Sequence, residues 1–124
     1  MEPIKHFSFK KADFKSRSFK NLSFFNVFFS GSDFTNSSFE AIKFKFVEME
    51  FCVFINSNFI NCIFENCSLN GSAFKSCYFF NTVFKNCLKV SINWEGNILE
   101  YDPEFTGEII IETLGGIKPF EIGN

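Results

Sequence analysis

The chain has 124 residues, a length that suits one domain. Aromatic residues make up 20% of it and 22 of them are phenylalanine, so a small body can still hold an ample core. The formal charge of −2 excludes a strong general attraction to nucleic acid or to acidic membranes.

Residues 1–6 form a lead-in. The start, Met1 to Phe7, has no apolar run of signal-peptide length, and no later stretch approaches the roughly 18 apolar residues of a membrane span. A cytoplasmic protein with no membrane contact is the default expectation. His6, the single histidine, reads as a bystander at the start of the chain.

From Phe9 to Phe84 a large apolar side chain recurs every fifth residue without a slip. The slots hold phenylalanine except at Met49 and Leu69. A period of five fits neither regular element. On an α-helix five residues turn about 140° net, so the rings would spiral round the axis. On a flat strand an odd period sends successive rings to opposite faces. A bend inside every repeat removes the conflict.

The flanking residues locate that bend. Two positions before each ring stand mostly small or medium side chains such as Ala12, Ser32, Ser57, Ser72 and Thr82, with Phe7 and Arg17 as exceptions. Two apart on an extended segment means one shared face, so this slot and the ring both point inward. Two positions after the ring come turn formers: Asn21, Asn26, Gly31, Asn36, Asn56, Asn61, Asn66, Gly71, Asn81 and Asn86. Four right-angled corners close a square coil of twenty residues, and successive coils stack at about 4.8 Å. The expected body spans residues 7–87 in about four coils.

A period of twenty assigns four walls. The first carries Phe9, Phe29, Met49, Leu69 and then Lys89; the second Phe14, Phe34, Phe54 and Phe74; the third Phe19, Phe39, Phe59 and Phe79; the fourth Phe24, Phe44, Phe64 and Phe84. Lys89 reads as the end of the repeat, because a charge does not take a core slot cheaply.

Several outward positions carry more than solvation requires. Residues 1–26 hold six cations against two carboxylates, a net of +4, read as solvated lysines with Arg17 emerging at the open end rather than as a nucleic-acid patch. Ile60 and Phe80 stack on the third wall beside Tyr78, and Ile63 and Val83 stack on the fourth. Phe25, Phe28, Phe46 and Phe51 gather near the corner of the fourth and first walls. Exposed apolar ladders of this kind imply that the tail or another subunit covers them.

The cysteines, Cys52, Cys62, Cys67, Cys77 and Cys87, all occupy the small inward slot. Buried reduced thiols acting as small hydrophobes are the expectation. Only Cys67 and Cys87 share a wall, so a disulfide is geometrically open there alone, and a reducing compartment argues against it. The thiols do not converge as metal ligands would. No cofactor and no metal is expected.

The tail, residues 88–124, is read as a non-repeat capping or dimerisation segment. It is apolar, with Trp94 and Phe105 as candidate contacts, and from residue 90 onward it holds seven carboxylates against one lysine. Gly107 to Leu114 reads as a strand. Solenoids need terminal caps, since the last coil exposes its core and a free edge. Opposite charge at the two ends allows head-to-tail association, and the apolar tail favours a symmetric homodimer.

The search for chemistry is nearly empty. There is no Ser-His-Asp set, no glycine-rich phosphate loop, and no base beside any cysteine. The pair Glu48 and Glu50 points outward as a solvated face. The sequence reads as a non-enzyme whose protein partner no residue names.

Ala12-Asp13-Phe14-Lys15-Ser16, Ser32-Asp33-Phe34-Thr35-Asn36 and Ser57-Asn58-Phe59-Ile60-Asn61 resemble the pentapeptide-repeat pattern of a small residue, Asp or Asn, Leu or Phe, a polar residue, then Gly or Asn. The likeness covers roughly residues 7–87. Phe28, Val53, Ile63, Ala73, Tyr78 and Val83 depart from it where Asp or Asn is usual. The resemblance implies an all-β, right-handed quadrilateral β-helix. It also implies an alternative role, since some members of that family mimic DNA and bind type II topoisomerases, protecting or inhibiting gyrase. The Lys ladders and the short body of this chain fit that role poorly.

Overall fold

The structure, a computed structural model, describes residues 2–102. It is all-β among those residues: short strands, all paired in parallel, wind as a solenoid of four-walled coils. The third wall is the sheet of Ser18–Lys20, Ser38–Glu40, Asn58–Ile60, Tyr78–Phe80 and Ile98–Glu100. The fourth is the sheet of Ile4–Lys5, Ser23–Phe25, Lys43–Lys45, Ile63–Glu65 and Val83–Lys85. On the second, bridges from Asp13 to Asp33 and on to Val53 lead into Val53–Ile55, Ala73–Lys75 and Asn93–Glu95. The first wall is held by isolated bridges that climb from Ser8 through Phe28, Glu48 and Ser68 to Leu88. Every partner lies twenty residues away, as in Phe59 against Phe79 and Phe64 against Phe84.

Each corner is made by one residue with left-handed backbone. The Asn and Gly positions named from sequence all have positive φ. Gly31 and Gly71 sit at the third position of β-turns closed by Ser32 N–H donating to the Phe29 carbonyl and Ser72 N–H to that of Leu69. A type II turn needs positive φ at that position, which glycine adopts without a steric penalty.

Inside, the rings of each wall stack at the strand spacing. Phe54 and Phe74 are 4.6 Å apart, as are Phe44 and Phe64, with planes within 11° of parallel. Rings on adjacent walls meet at steep angles, as Phe24 and Phe29 do at 79°. Each buried ring contributes about 2 kcal/mol by leaving water, and each favourable ring pair about 1 kcal/mol more. Met49 and Leu69 interrupt the first-wall stack together, and both are fully buried.

The small inward slot does more than fill space. Its hydroxyl or thiol donates to a carbonyl of the coil below: Ser32 to Phe9, Ser57 to Phe34, Ser72 to Met49, Cys77 to Phe54 and Thr82 to Phe59. Its oxygen also accepts the N–H of the slot residue lying beneath it, as Thr82 Oγ1 does from Cys62 and Ser72 Oγ from Cys52. Backbone groups that the turn takes out of the ladder are thereby satisfied inside the core.

The register does not stop at Lys89. Trp94 stands over Phe74 and Leu99 over Phe79, with positive φ at Ser91 and Gly96 making the corners. The third and fourth walls accordingly have five strands each, where about four coils were expected. Lys89 is half-buried. A lysine stem can lie on apolar surface while its amine reaches outward, so one charged slot on one wall does not end the coil.

Candidate interaction surface

Two corners break the Asn/Gly rule with large rings. Phe46 and Phe51 have φ of 53° and 56°, yet they are 47% and 69% exposed. They flank the first wall in a single coil. Left-handed backbone costs a bulky L-residue roughly 1–2 kcal/mol, and little burial offsets that here. Phe51 lies across Gly71, where an added Cβ would meet its Cε1 at 2.5 Å, so the absent side chain makes room for the ring. Phe46 meets Phe25 edge-on at 5.6 Å, and Lys45 Nζ stands 5.6 Å from the Phe46 ring centre.

Beside Phe25 the fourth wall opens into a cleft of about 250 Å³ lined by Pro3, Ser23, Phe24, Phe25, Lys43 and Lys45. Lys5, Lys43 and Lys45 form no ion pair among the described residues. The basic and aromatic groups of this wall therefore face outward together over its lower coils.

The residues singled out from sequence are placed differently. Ile60 and Phe80 are partners on the third wall, both half-buried, and the Tyr78 ring stacks beside Phe80 at 6.4 Å. The Tyr78 hydroxyl donates to the Glu100 carboxylate, which raises its pKa. Ile63 is 39% exposed on the fourth wall, whereas its partner Val83 is buried. Trp94 corrects an expectation. It is a core residue stacked on Phe79 at 5.1 Å rather than a tail contact, because it falls in register at a ring slot. Its indole N–H is buried without an acceptor. Phe105, the predicted strand Gly107 to Leu114, and most of the expected capping or dimerisation segment lie outside the described residues.

The five cysteines are buried and form no disulfide among the described residues. Burial pushes the thiols of Cys62 and Cys77 up to about 11 and that of Cys52 to about 12. The Cys87 thiol, hydrogen-bonded to Cys67, raises the latter further, with burial adding to it. These groups stay protonated near neutrality and are poor nucleophiles. Among the described residues no three potential metal ligands converge. No helix there is long and apolar enough to cross a membrane.

A parallel four-walled solenoid with one left-handed corner in every five residues defines a class of repeat protein. Residues 48–86 match the family model for pentapeptide repeats, in eight copies. That segment is thus a run of pentapeptide repeats. Among solved structures, the crystal structure of a pentapeptide repeat protein (Rfr23) from the cyanobacterium Cyanothece 51142 aligns with a TM-score of 0.42 and 11% identity, covering 80% of this chain and 88% of that one. No curated protein matches.

Proposed function

We propose that this protein is a non-enzymatic protein-interaction module that uses the corners beside its first wall as the contact surface. The observation that carries the reading is the pair Phe46 and Phe51. Both are exposed rings on left-handed backbone, in slots where most corners carry Asn, Gly or Ser. Backbone strain retained at exposed aromatic residues points to a role in contact. Rigid aromatic side chains are the residues that dominate protein interfaces. The raised thiol pKa values and the absence of a metal-ligand cluster among the described residues give no support to catalysis. Five buried cysteines with no disulfide among the described residues fit a reducing compartment, which supports a cytoplasmic location. The lysines on the fourth wall weigh against DNA mimicry.

The test is affinity capture from an extract of the source organism, with the native protein and the Phe46→Asn/Phe51→Asn variant side by side. The reading expects a partner held by the native protein and lost by the variant. Equal capture by both would remove these corners from the contact.

A further inference from the structure

We propose that the cleft on the lower fourth wall is a binding site for a small aromatic anion, a single ring that carries a phosphate or a carboxylate. Its shape, its charge and its rigidity support this.

The cleft exists because of one short side chain. Ser23 stands between Pro3 and Lys43 in an outward column of the wall, and the space over it stays open. Pro3, Phe24 and Phe25 give the cleft apolar surface, and Ser23, Lys43 and Lys45 give it polar groups. An apolar hollow with a few polar groups is the usual form of a small-molecule site. Its volume of about 250 Å³ takes one ring with an anionic group and excludes a helix or a folded loop.

The charge is of one sign. Two lysines line the cleft, and among the described residues no carboxylate does. Lys5, the register partner of Phe25, adds a third cation beside that ring. On the second wall, Lys75 and Glu95 are stacked in one column and close to 3.7 Å. Lys45 and Glu65 are stacked in the same way, yet they form no ion pair among the described residues. The Lys45 amine stands instead 5.6 Å from the centre of the Phe46 ring, which itself meets Phe25 edge-on. A flat anion supplies what these groups lack. Its ring packs against Phe25 and Pro3, and its oxygens accept from the two amines and the Ser23 hydroxyl. A bare phosphate leaves the apolar surface uncovered, and a neutral ring leaves the lysines unpaired.

The groups are also placed in advance. Ser23–Phe25 and Lys43–Lys45 are paired strands, tied by the Lys43 N–H donating to the Leu22 carbonyl at 3.0 Å and the Asn26 N–H to that of Lys45 at 3.1 Å. Lys43 and Lys45 flank the buried Phe44, so both side chains leave one face of the same strand. A site built on fixed strands loses little freedom when it binds.

The experiment is a titration of the purified full chain with phenyl phosphate, followed by amide NMR shifts. A saturable shift confined to residues 4–5, 23–25 and 43–45 is the expected result, at least about tenfold tighter than for inorganic phosphate or benzyl alcohol. Lys43→Gln/Lys45→Gln should weaken it about tenfold or more, the scale of two lost charge-assisted hydrogen bonds. Ser23→Leu fills the notch without touching the charge and should abolish the shift. Unchanged spectra of the upper coils show that each variant is folded. No saturable shift in the native protein, equal affinity for inorganic phosphate, or native binding by Ser23→Leu would each overturn the proposal. Equal binding of a tetraglutamate peptide would assign the cleft to an acidic chain and overturn it too. So would cleft shifts that move on dilution of the protein alone, which would assign it to a second copy. No protein partner enters the titration, so its outcome is separate from that of the capture test on Phe46 and Phe51.

Discussion

The small inward slot shows how much one residue does in this fold. Thr82 is fully buried, accepts the Cys62 N–H at 3.2 Å and donates to the Phe59 carbonyl at 3.0 Å. Thr82→Val keeps the shape and removes both bonds, leaving the Cys62 N–H with no acceptor from that side chain. The expected loss is about 1–3 kcal/mol in chemical denaturation, and an unchanged midpoint would show that the slot is mere filler. The thiols in the same slot carry a pH signature. Their pKa values are raised from 9.0 in the fold, so the unfolded chain loses these protons first. The protonated thiols thus support the fold fully below about pH 9, and that support falls as pH climbs from 9 toward 11 or 12. Denaturation midpoints across pH 7–11 check this, and replacing Cys52, Cys62 and Cys77 by serine should flatten the alkaline fall. The position of the slot was legible in the sequence, because it recurs two residues before each ring. Its hydrogen bonds were not, since each joins residues twenty or more apart whose alignment exists only once the coil has closed.

At the scale of the element, the corner decides what a repeat tolerates. Gly71 has a φ of 71° and lies beneath the Phe51 ring. Gly71→Ala would strain the backbone and push its Cβ into that ring, with an expected loss of about 1–2 kcal/mol. Gly96 has a similar φ of 64° but open surroundings, the nearest atom to an added Cβ being Ser76 Oγ at 3.6 Å. Gly96→Ala should therefore lose less, and equal losses at the two sites would contradict the contact with Phe51. The Asn and Gly corners could be placed from sequence because few other residues accept left-handed backbone. Phe46 and Phe51 stand in the same phase, but their residue type gave no hint of a turn. The end of the coil was misplaced for a related reason. Lys89 violates the pattern on one wall only, while Ile92, Trp94, Gly96, Asn97 and Leu99 continue it in phase. The chemistry of one slot is a weaker guide to the end of a coil than the phase of its neighbours.

For the whole molecule, the repeat makes a rigid body whose interior is almost uniform, so individuality resides on its outer faces. The walls differ outside while their cores stay alike: lysines and Phe25 on the lower fourth wall, Ile60 and Phe80 on the third, Phe46 and Phe51 beside the first. Periodicity predicted which side chains point outward. It could not tell which of them are exposed, because Val83 and Ile63 share a column and differ in burial. The central claim is that Phe46 and Phe51 serve contact rather than stability. Equilibrium denaturation of Phe46→Asn/Phe51→Asn tests it most directly. Relief of two strained corners offsets the lost ring contacts, so the variant should lie within about 1 kcal/mol of the native protein. A loss of about 3 kcal/mol or more, the scale of truncating a core phenylalanine, would make the two rings structural and contradict the claim.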